Sequence, residues 1–292
     1  MSGYGGQTMV GALGRVLVCS PEAAGWTSPE QRSRWRQLGY QHEPDARAAQ
    51  AQHEALRREL EAAGAEVLCL EPDAERSLDA VYVHDPSFIT NQGAILLQMG
   101  KACREKEPAA HGRAFAALGV PLLGEIRAPG SVEAGDLVWL DAATVLAGRG
   151  YRTNAAGIEQ LRALLAPLGI ETVVAPLPHS AGPASCLHLM SLLSQLDEST
   201  ALVDLPWLAV ETVELLRQRG FKMIEIDYSE RDTLACNVLA LGERRLLAFA
   251  ENPHTIARLR AAGFDVRAVV GSELGINGGG GLTCLTRPLL RA

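Results

Sequence analysis

The 292-residue sequence has few cysteines and no membrane-length apolar run. Its six cysteines include no Cys-x-x-Cys pair, which argues against a disulfide scaffold, a zinc knuckle and a thioredoxin-type motif. No apolar stretch approaches the ~20 residues of a membrane span, and the start MSGYGGQTM lacks the basic and apolar blocks of a secretory signal. We therefore expect a soluble, cytoplasmic protein with reduced cysteines.

The sequence also has no excess of basic residues over acidic ones. The chain has 27 lysines and arginines against 34 aspartates and glutamates, which gives a net charge of −7. A nucleic-acid surface or a polybasic membrane contact needs clustered positive charge, so we expect neither nucleic acid nor membrane as a partner. The hydrophobic fraction of 47% is typical of a folded globular domain.

The chain divides into a short start and one domain. Residues 1–12, rich in glycine and polar residues, are predicted to be a flexible N-terminus, and residues 13–292, without a Pro/Ser-rich linker, to be a single domain. Periodicity predicts the helices Asp45–Ala63, Glu107–Leu118, Asn154–Leu168, Pro206–Arg219 and Pro253–Ala262. The predicted strands are Arg15–Cys19, Ala65–Leu70, Ala94–Met99, Asp136–Leu140, Thr144–Ala147, Glu171–Ala175, Ala201–Asp204, Lys222–Ile226, Asn237–Leu241, Arg245–Ala250 and Asp265–Val270.

These elements form a repeat. Each helix ends at a glycine that is followed within a few residues by an apolar strand, as in AAGAEVLCL and PLGIETVVA. The units recur about every 50 residues. The first strand and its continuation, VLVCSPEAAGW, lack the Gly-x-Gly-x-x-Gly turn of a dinucleotide-binding fold. The pattern therefore favours five strand–strand–helix–strand units around a central axis.

Loops of a radial repeat converge at the axis, so polar residues at equivalent unit ends are the candidate site. Four stretches supply them: LDAVYVHDPSF, VEAGDLVW, CLHLMSL and NGGGGLTCLTRPLL. Taken singly, each has an ordinary structural explanation: a satisfied core histidine, a solvated acidic turn or a flexible glycine loop. Taken together, Cys284, His188 and Glu133 supply the thiol, the imidazole and the carboxylate of nucleophilic catalysis.

The ordered motifs LDAVYVHD, EAGD, GYRTN, LHL and GGGGLTC resemble the guanidino-group-modifying superfamily, and within it the dimethylarginine dimethylaminohydrolases. The resemblance runs from about Arg15 to Arg287. It implies an α/β fold, the pentein five-bladed αβ propeller with pseudo-five-fold symmetry, forming one amidinotransferase-like catalytic domain. It also implies a small-molecule guanidino substrate and chemistry that requires neither a metal nor another cofactor.

The resemblance implies a role for each candidate residue. Cys284 corresponds to the nucleophile, His188 to the general acid and base, and Glu133 to the partner of the histidine. The implied substrate-binding residues are Asp85 for the guanidinium, Asp79 for the α-amino group, Arg104 and Arg152 for the α-carboxylate, Gly278 for a backbone contact, and His84 beside the substituted nitrogen.

Two positions depart from the family pattern and bear on the substrate. His84 replaces a glutamate, and Met190 stands where arginine deiminases and amidinotransferases carry an aspartate. Fewer carboxylates disfavour an unsubstituted guanidinium, which has more N–H donors to satisfy. We therefore expect hydrolysis of Nω-methylated arginine.

Other functions stay open on the sequence alone. The alternatives are an arginine deiminase, a hydrolase of a related guanidino or ureido compound, and a non-catalytic binding module. Intact Cys284, His188 and Glu133 argue against the binding module, because a sensor needs no nucleophile. The sequence leaves open whether the chain forms a homodimer.

Overall fold

The computed structural model describes residues 3–73, 75–183 and 185–292. Within these residues the chain forms five three-stranded sheets. The strands are β1 Leu13–Val18, β2 Glu66–Cys69, β3 Ser87–Thr90, β4 Gly93–Leu96, β5 Leu122–Glu125, β6 Leu137–Asp141, β7 Thr144–Arg149, β8 Glu171–Pro176, β9 Leu193–Asp197, β10 Thr200–Val203, β11 Lys222–Glu225, β12 Leu239–Gly242, β13 Arg245–Phe249, β14 Asp265–Val269 and β15 Arg287–Arg291. The α-helices are α1 Pro29–Arg32, α2 Trp35–Leu38, α3 Ala46–Ala62, α4 Glu107–Ala117, α5 Ala155–Leu165, α6 Val210–Gln218 and α7 Pro253–Ala261.

Each sheet repeats one topology. In the second to fifth sheets a first strand pairs antiparallel with a second, and a helix then leads to a third strand parallel to the second. The first sheet takes its antiparallel strand from the C-terminus, in the order β15–β1–β2. The two ends of the chain therefore close the ring, and the predicted five-bladed αβ propeller is confirmed.

The helices end where the sequence predicts, because glycine accepts the left-handed backbone that stops a helix. Gly64, Gly119, Gly169, Gly220 and Gly263 have φ between +69° and +97°. Helix α5 also begins as predicted, since the Asn154 side chain accepts a hydrogen bond from Gly157 N at 2.8 Å. These ends fix the length of each helix and bring the next strand back into its sheet.

Residues 5–12, within the stretch predicted to be flexible, contact the rest of the propeller. Gly5 N donates to Leu289 O at 2.8 Å, and Arg291 N donates to Gly5 O at 3.0 Å. Met9 packs against three of the apolar clusters between the units. These backbone partners come from the opposite end of the chain, where local composition gives no sign of them.

The structure corrects several predicted elements. The strands β3, β5, β9 and β15 are absent from the predicted strands; β3, β9 and β15 are each the first strand of a sheet, and β5 is the third strand of the second sheet. The predicted helix Pro206–Arg219 begins only at Val210, after a short 3-10 turn at Leu205–Trp207 and an extended Leu208. None of the helices in the described parts of the chain is long and apolar enough to cross a membrane.

Candidate active site

The candidate residues lie at equivalent places in the five units. In each unit one polar residue stands just before the first strand: Asp85 before β3, Glu133 before β6, His188 before β9, Asn237 before β12 and Cys284 before β15. The loops that carry them converge, because the first strands follow one another around the propeller. Four of these residues, Asp85, His188, Cys284 and, through its hydrogen bonds, Glu133, belong to one charged pocket of about 30 Å³.

Glu133 and His188 form the central contact of this pocket. His188 Nε2 lies 2.7 Å from Glu133 Oε2, and the carboxylate is fully buried. Its other oxygen accepts hydrogen bonds from Gly100 N at 2.9 Å and Lys101 N at 3.2 Å. Burial would raise the pKa of Glu133, but the hydrogen bond and charge of His188 outweigh it and lower that pKa. Glu133 therefore stays a carboxylate that holds the imidazole ring.

The second ring nitrogen of His188, Nδ1, does not contact Glu133 and faces the charged pocket. Nδ1 lies 3.8 Å from Cys186 Sγ. Burial disfavours the imidazolium, but Cys186, Asp85 and Asp136 together raise the pKa of His188 well above its ordinary value. These neighbours favour a protonated imidazole, and His188 lines the same pocket as the candidate nucleophile Cys284.

Cys284 is held by Asn237, a residue that the sequence argument did not select. Asn237 Nδ2 lies 3.8 Å from Cys284 Sγ and donates to Met190 O at 3.2 Å. Its Oδ1 accepts hydrogen bonds from Thr283 N at 2.9 Å and Thr283 Oγ1 at 2.6 Å. Asn237 thus ties the cysteine loop to the histidine loop. Burial, followed by the charge of Asp85, raises the pKa of the Cys284 thiol to about 12, so this candidate nucleophile is a protonated thiol at neutral pH.

Asp85 lines the charged pocket together with Cys284 and His188, and it is bound by its neighbour Arg104. Asp85 Oδ1 accepts a hydrogen bond from Gly135 N at 3.0 Å, and its Oδ2 accepts one from Arg104 Nη1 at 2.6 Å. Arg104 also donates to both oxygens of Glu107, at 2.9 and 2.8 Å, and to Tyr82 O at 2.8 Å. With these partners Arg104 positions Asp85. Arg104 also lines the charged pocket, so its predicted contact with a substrate carboxylate stays a prediction.

Asp79 lies in the same pocket and is engaged by a lysine that the sequence argument also missed. Lys101 Nζ donates to Asp79 Oδ2 at 2.5 Å and to Leu38 O at 2.6 Å. Leu38 is the last residue of α2, and the segment after it is fixed to the glycine loop, where Gln41 N donates to Asn277 O at 2.9 Å. The Lys101 ammonium therefore compensates the charge of Asp79 and links the pocket wall to α2.

Arg152 has a position that suits its predicted role. It lines the pocket, and its Nη1 lies 3.3 and 3.2 Å from the two oxygens of Glu133. A cation here stabilises the ionised Glu133 and adds positive charge to the pocket wall. Arg152 therefore remains the candidate for recognising a carboxylate, and it also contacts Glu133, the partner of His188.

In the glycine run, close packing of side chains requires Gly278, Gly280 and Gly281, whereas Gly279 has open space around it and a positive φ of +77°. A Cβ on Gly278 would lie 2.1 Å from Tyr82 Oη and 2.7 Å from a ring carbon of Tyr40, and one on Gly281 would meet Asn237 at 2.3 Å. Real side chains do not tolerate such distances. The predicted backbone contact at Gly278 stays open to test, since Gly278 lines the pocket.

His84 and Met190 do not line the charged pocket. Both border a separate cavity of about 20 Å³ that also includes Met9 and Arg291. His84 Nδ1 lies 2.9 Å from Thr286 O, and burial lowers the pKa of this histidine well below its ordinary value. The predicted contact of His84 with the substrate does not fit this position. The preference for a methylated substrate consequently cannot rest on these two residues.

The carboxylates and the histidine could also hold a cation. One ligand atom each of Asp85, Glu133 and His188 lies within 4.8 Å of the others. These groups already accept or face N–H donors from Arg104, Arg152 and the backbone. A planar cation that brings its own N–H donors therefore suits the oxygens as well as a metal ion does. That no metal is required stays a prediction.

Comparisons with known proteins agree with this arrangement. A family model described as eukaryotic N,N dimethylarginine dimethylhydrolase matches residues 27–291. An N(G),N(G)-dimethylarginine dimethylaminohydrolase of Streptomyces coelicolor is 31% identical, and the match covers 73% of this chain and 76% of the relative. An N(G),N(G)-dimethylarginine dimethylaminohydrolase of Pseudomonas aeruginosa is 30% identical, and the match covers 83% of this chain and 89% of the relative. A solved structure of a variant of the Pseudomonas aeruginosa enzyme with citrulline has a TM-score of 0.76 at 26% identity, covering 94% of this chain and 99% of its own.

Proposed function

The chain belongs to the N,N-dimethylarginine dimethylhydrolase family, and on that basis we propose that it hydrolyses the guanidino C–N bond of Nω-methylated arginine to citrulline and an amine. The observation that carries the proposal is the Glu133–His188 contact at 2.7 Å in the pocket that also contains Asp85 and Cys284. The six cysteines are free thiols, which supports a reducing compartment, the cytoplasm, as the place of action.

Substrate binding depends first on the attraction between the positively charged guanidinium and a carboxylate of the pocket. A guanidinium is a weak electrophile because its positive charge is delocalised, and a carboxylate that accepts its N–H groups fixes both the charge and the orientation of Cζ. Asp85 supplies that carboxylate beside the thiol. Asp79 is suited to the α-ammonium, which displaces Lys101 Nζ, and Arg152 to the α-carboxylate.

Attack follows once the substrate cation lies next to the sulfur. The guanidinium offsets the charge of Asp85, which otherwise raises the pKa of Cys284. As the substrate cation binds, the thiol releases its proton to solvent, and the thiolate adds to Cζ and forms an Sγ–Cζ bond. His188 Nδ1 then gives its proton to the substituted nitrogen, the Cζ–N bond breaks, and methylamine or dimethylamine leaves. A thiouronium remains on Cys284.

Hydrolysis of the thiouronium uses the same histidine. After giving up its proton, His188 can accept one from a water molecule that attacks Cζ. A C–O bond forms, the Sγ–Cζ bond breaks, and the ureido product citrulline leaves with the thiol restored. Glu133 stabilises the imidazolium in both halves of the reaction and keeps its ring in place.

A substrate panel tests the proposal directly. We expect kcat/KM to be about tenfold higher for monomethylarginine and dimethylarginine than for arginine, which is the discrimination that one methyl group gives in a pocket. The measurement is the ureido product formed from each compound. Preference for arginine, or turnover of none of these compounds, contradicts the assignment.

Replacing Arg152 with alanine tests carboxylate recognition. Loss of a charge-assisted pair costs about 1.5–3 kcal/mol, so we expect KM for methylarginine to rise 10- to 100-fold and kcat to fall less. Agmatine lacks the carboxylate and should be a poor substrate of the wild type. Arg149→Ala, at an exposed position three residues earlier, is the matched control. Efficient agmatine turnover contradicts the assignment.

The pH dependence of kcat/KM follows from the two raised pKa values. The reaction needs a thiolate at Cys284 and an imidazolium at His188. Because burial raises the pKa of Cys284 to about 12, and Cys186, Asp85 and Asp136 raise the pKa of His188, the thiolate is the scarce form. We expect kcat/KM to rise from pH 6 to pH 9, by up to about tenfold per pH unit. A flat profile over this range contradicts the protonated resting thiol.

A further inference from the structure

Two cavities of different chemistry meet at the catalytic residues. The charged pocket of about 30 Å³ and a second cavity of about 610 Å³ both border Cys284, His188, Cys186 and Gly279. We call the second one the large cavity; the rest of its wall includes Leu187, Trp207, Arg231, Asp232 and Leu234. A volume of this size is in the range of small-molecule sites, roughly 300–1,000 Å³. Methylamine or dimethylamine would leave most of it empty.

The direction of the substrate follows from which groups each space offers. The charged pocket contains Asp79, Asp85 and Arg152, which match a guanidinium and the main-chain groups of an amino acid. An apolar substituent placed among these ions would desolvate them without compensation. The leaving nitrogen must face His188 Nδ1 to receive its proton. Since His188 also borders the large cavity, a substituent on that nitrogen can extend into it.

The wall of the large cavity selects among substituents. Trp207 is half-buried and offers an aromatic face, with Leu187 and Leu234 as aliphatic neighbours. The Arg231 guanidinium lies 5.4 Å from the Trp207 ring centroid, but Asp204 binds it at 2.5 and 2.9 Å and compensates its charge. Asp232 adds a further carboxylate. The wall is therefore mixed: aromatic and aliphatic surface lies beside two carboxylates, Asp204 and Asp232, and one guanidinium, Arg231. The excess of carboxylates over guanidinium at this part of the wall suits a neutral or cationic group better than an anion.

We propose that the large cavity binds the substituent of the leaving nitrogen, so that the substrates of this enzyme include Nω-substituted arginines whose neutral or cationic substituent is much larger than methyl. The inference rests on the proposed function and names a wider substrate class for the same site. The released product is then an alkyl- or arylalkylamine, which leaves through the large cavity, while citrulline remains the common product.

The experiment compares Nω-methyl-, Nω-benzyl-, Nω-(3-aminopropyl)- and Nω-(2-carboxyethyl)-arginine by kcat/KM for citrulline formation. We expect the benzyl and aminopropyl compounds to lie within about tenfold of the methyl compound, and the carboxyethyl compound at least about tenfold below the aminopropyl one. If the methyl compound is hydrolysed and the benzyl compound is more than a hundredfold slower, the inference is overturned and the proposed function stands. If none is hydrolysed, both fail.

Variants of Trp207 locate the effect in the cavity. Trp207→Ala should lower the ratio of the benzyl to the methyl kcat/KM at least fivefold, and Trp207→Phe should restore most of it by keeping an aromatic face. Val210→Ala changes an exposed residue three positions later and serves as the control, with an unchanged ratio. A ratio that is the same in Trp207→Ala and in the wild type overturns the assignment of the substituent to this cavity.

Discussion

Replacing Cys284 with serine is expected to lower kcat by roughly 10⁴-fold or more, the scale seen when a covalent nucleophile is removed. Serine keeps the size of the side chain and its place beside Asn237. Its hydroxyl has a far higher pKa than a thiol, and the pocket already disfavours an anion, because burial and Asp85 raise the pKa of Cys284. The measurement is citrulline formed from dimethylarginine at enzyme concentrations high enough to detect slow turnover.

Two further measurements make this result specific. Cys69→Ser changes an exposed thiol at the end of β2 and should retain wild-type turnover. The Cys284→Ser protein should unfold at a similar temperature to the wild type and still bind methylarginine in a calorimetric titration. Mass spectrometry of wild type quenched during turnover should find the thiouronium on the peptide that carries Cys284. Turnover of Cys284→Ser within tenfold of the wild type contradicts covalent catalysis.

The ring of five units could be predicted because its signals are local. A helix that ends at a glycine and is followed by an apolar strand can be recognised within about a dozen residues of sequence. The five glycines indeed have the positive φ of a helix end. Strand β15 could not be predicted in this way. It contains Pro288 and has arginines at both ends, which is atypical of a buried strand. Arg291 is accommodated because its guanidinium donates to Gly11 O and Ala240 O from distant parts of the chain.

The candidate site was predictable to a similar extent. Motif order selected Cys284, His188, Glu133, Asp79 and Asp85, and the structure brings these residues together. Motif order did not identify which groups the positively charged side chains of the site bind. Arg104 has an acid three residues later, Glu107, and this helical spacing is the local sign of an internal ion pair. His84 was predicted to contact the substrate, but it does not line the charged pocket. The backbone turns between His84 and Asp85, so the side chains of these two neighbours border different cavities.

Asn237 could have been found from the repeat itself. If each unit places a functional residue just before its first strand, then the fifth unit must offer one too, and Asn237 stands at the start of a predicted strand. Lys101 had no comparable signal, since its partners Asp79 and Leu38 O come from other parts of the chain. Symmetry thus predicts positions, whereas the assignment of charge partners requires the folded structure.

Replacing His188 with alanine is expected to lower kcat by about 10²–10⁴-fold, the usual contribution of a positioned general acid and base. His188 serves both steps, since it protonates the leaving amine and later takes a proton from the attacking water. Its loss also removes the cation that favours the Cys284 thiolate, because the charge of His188 lowers the pKa of that thiol. The pH-dependent rate at which iodoacetamide labels Cys284, followed by mass spectrometry, should therefore shift to higher pH in His188→Ala.

The double variant distinguishes a catalytic unit from two independent contributions. If Cys284 and His188 act together, Cys284→Ser/His188→Ala should be hardly slower than Cys284→Ser alone, because the histidine has no proton transfer to assist once the nucleophile is gone. His254→Ala, at an exposed histidine, is the matched control and should leave kcat and the labelling profile unchanged. If the losses of the two single variants multiply in the double variant, or if His188→Ala leaves the labelling of Cys284 unaltered, His188 does not act on the cysteine in the way proposed.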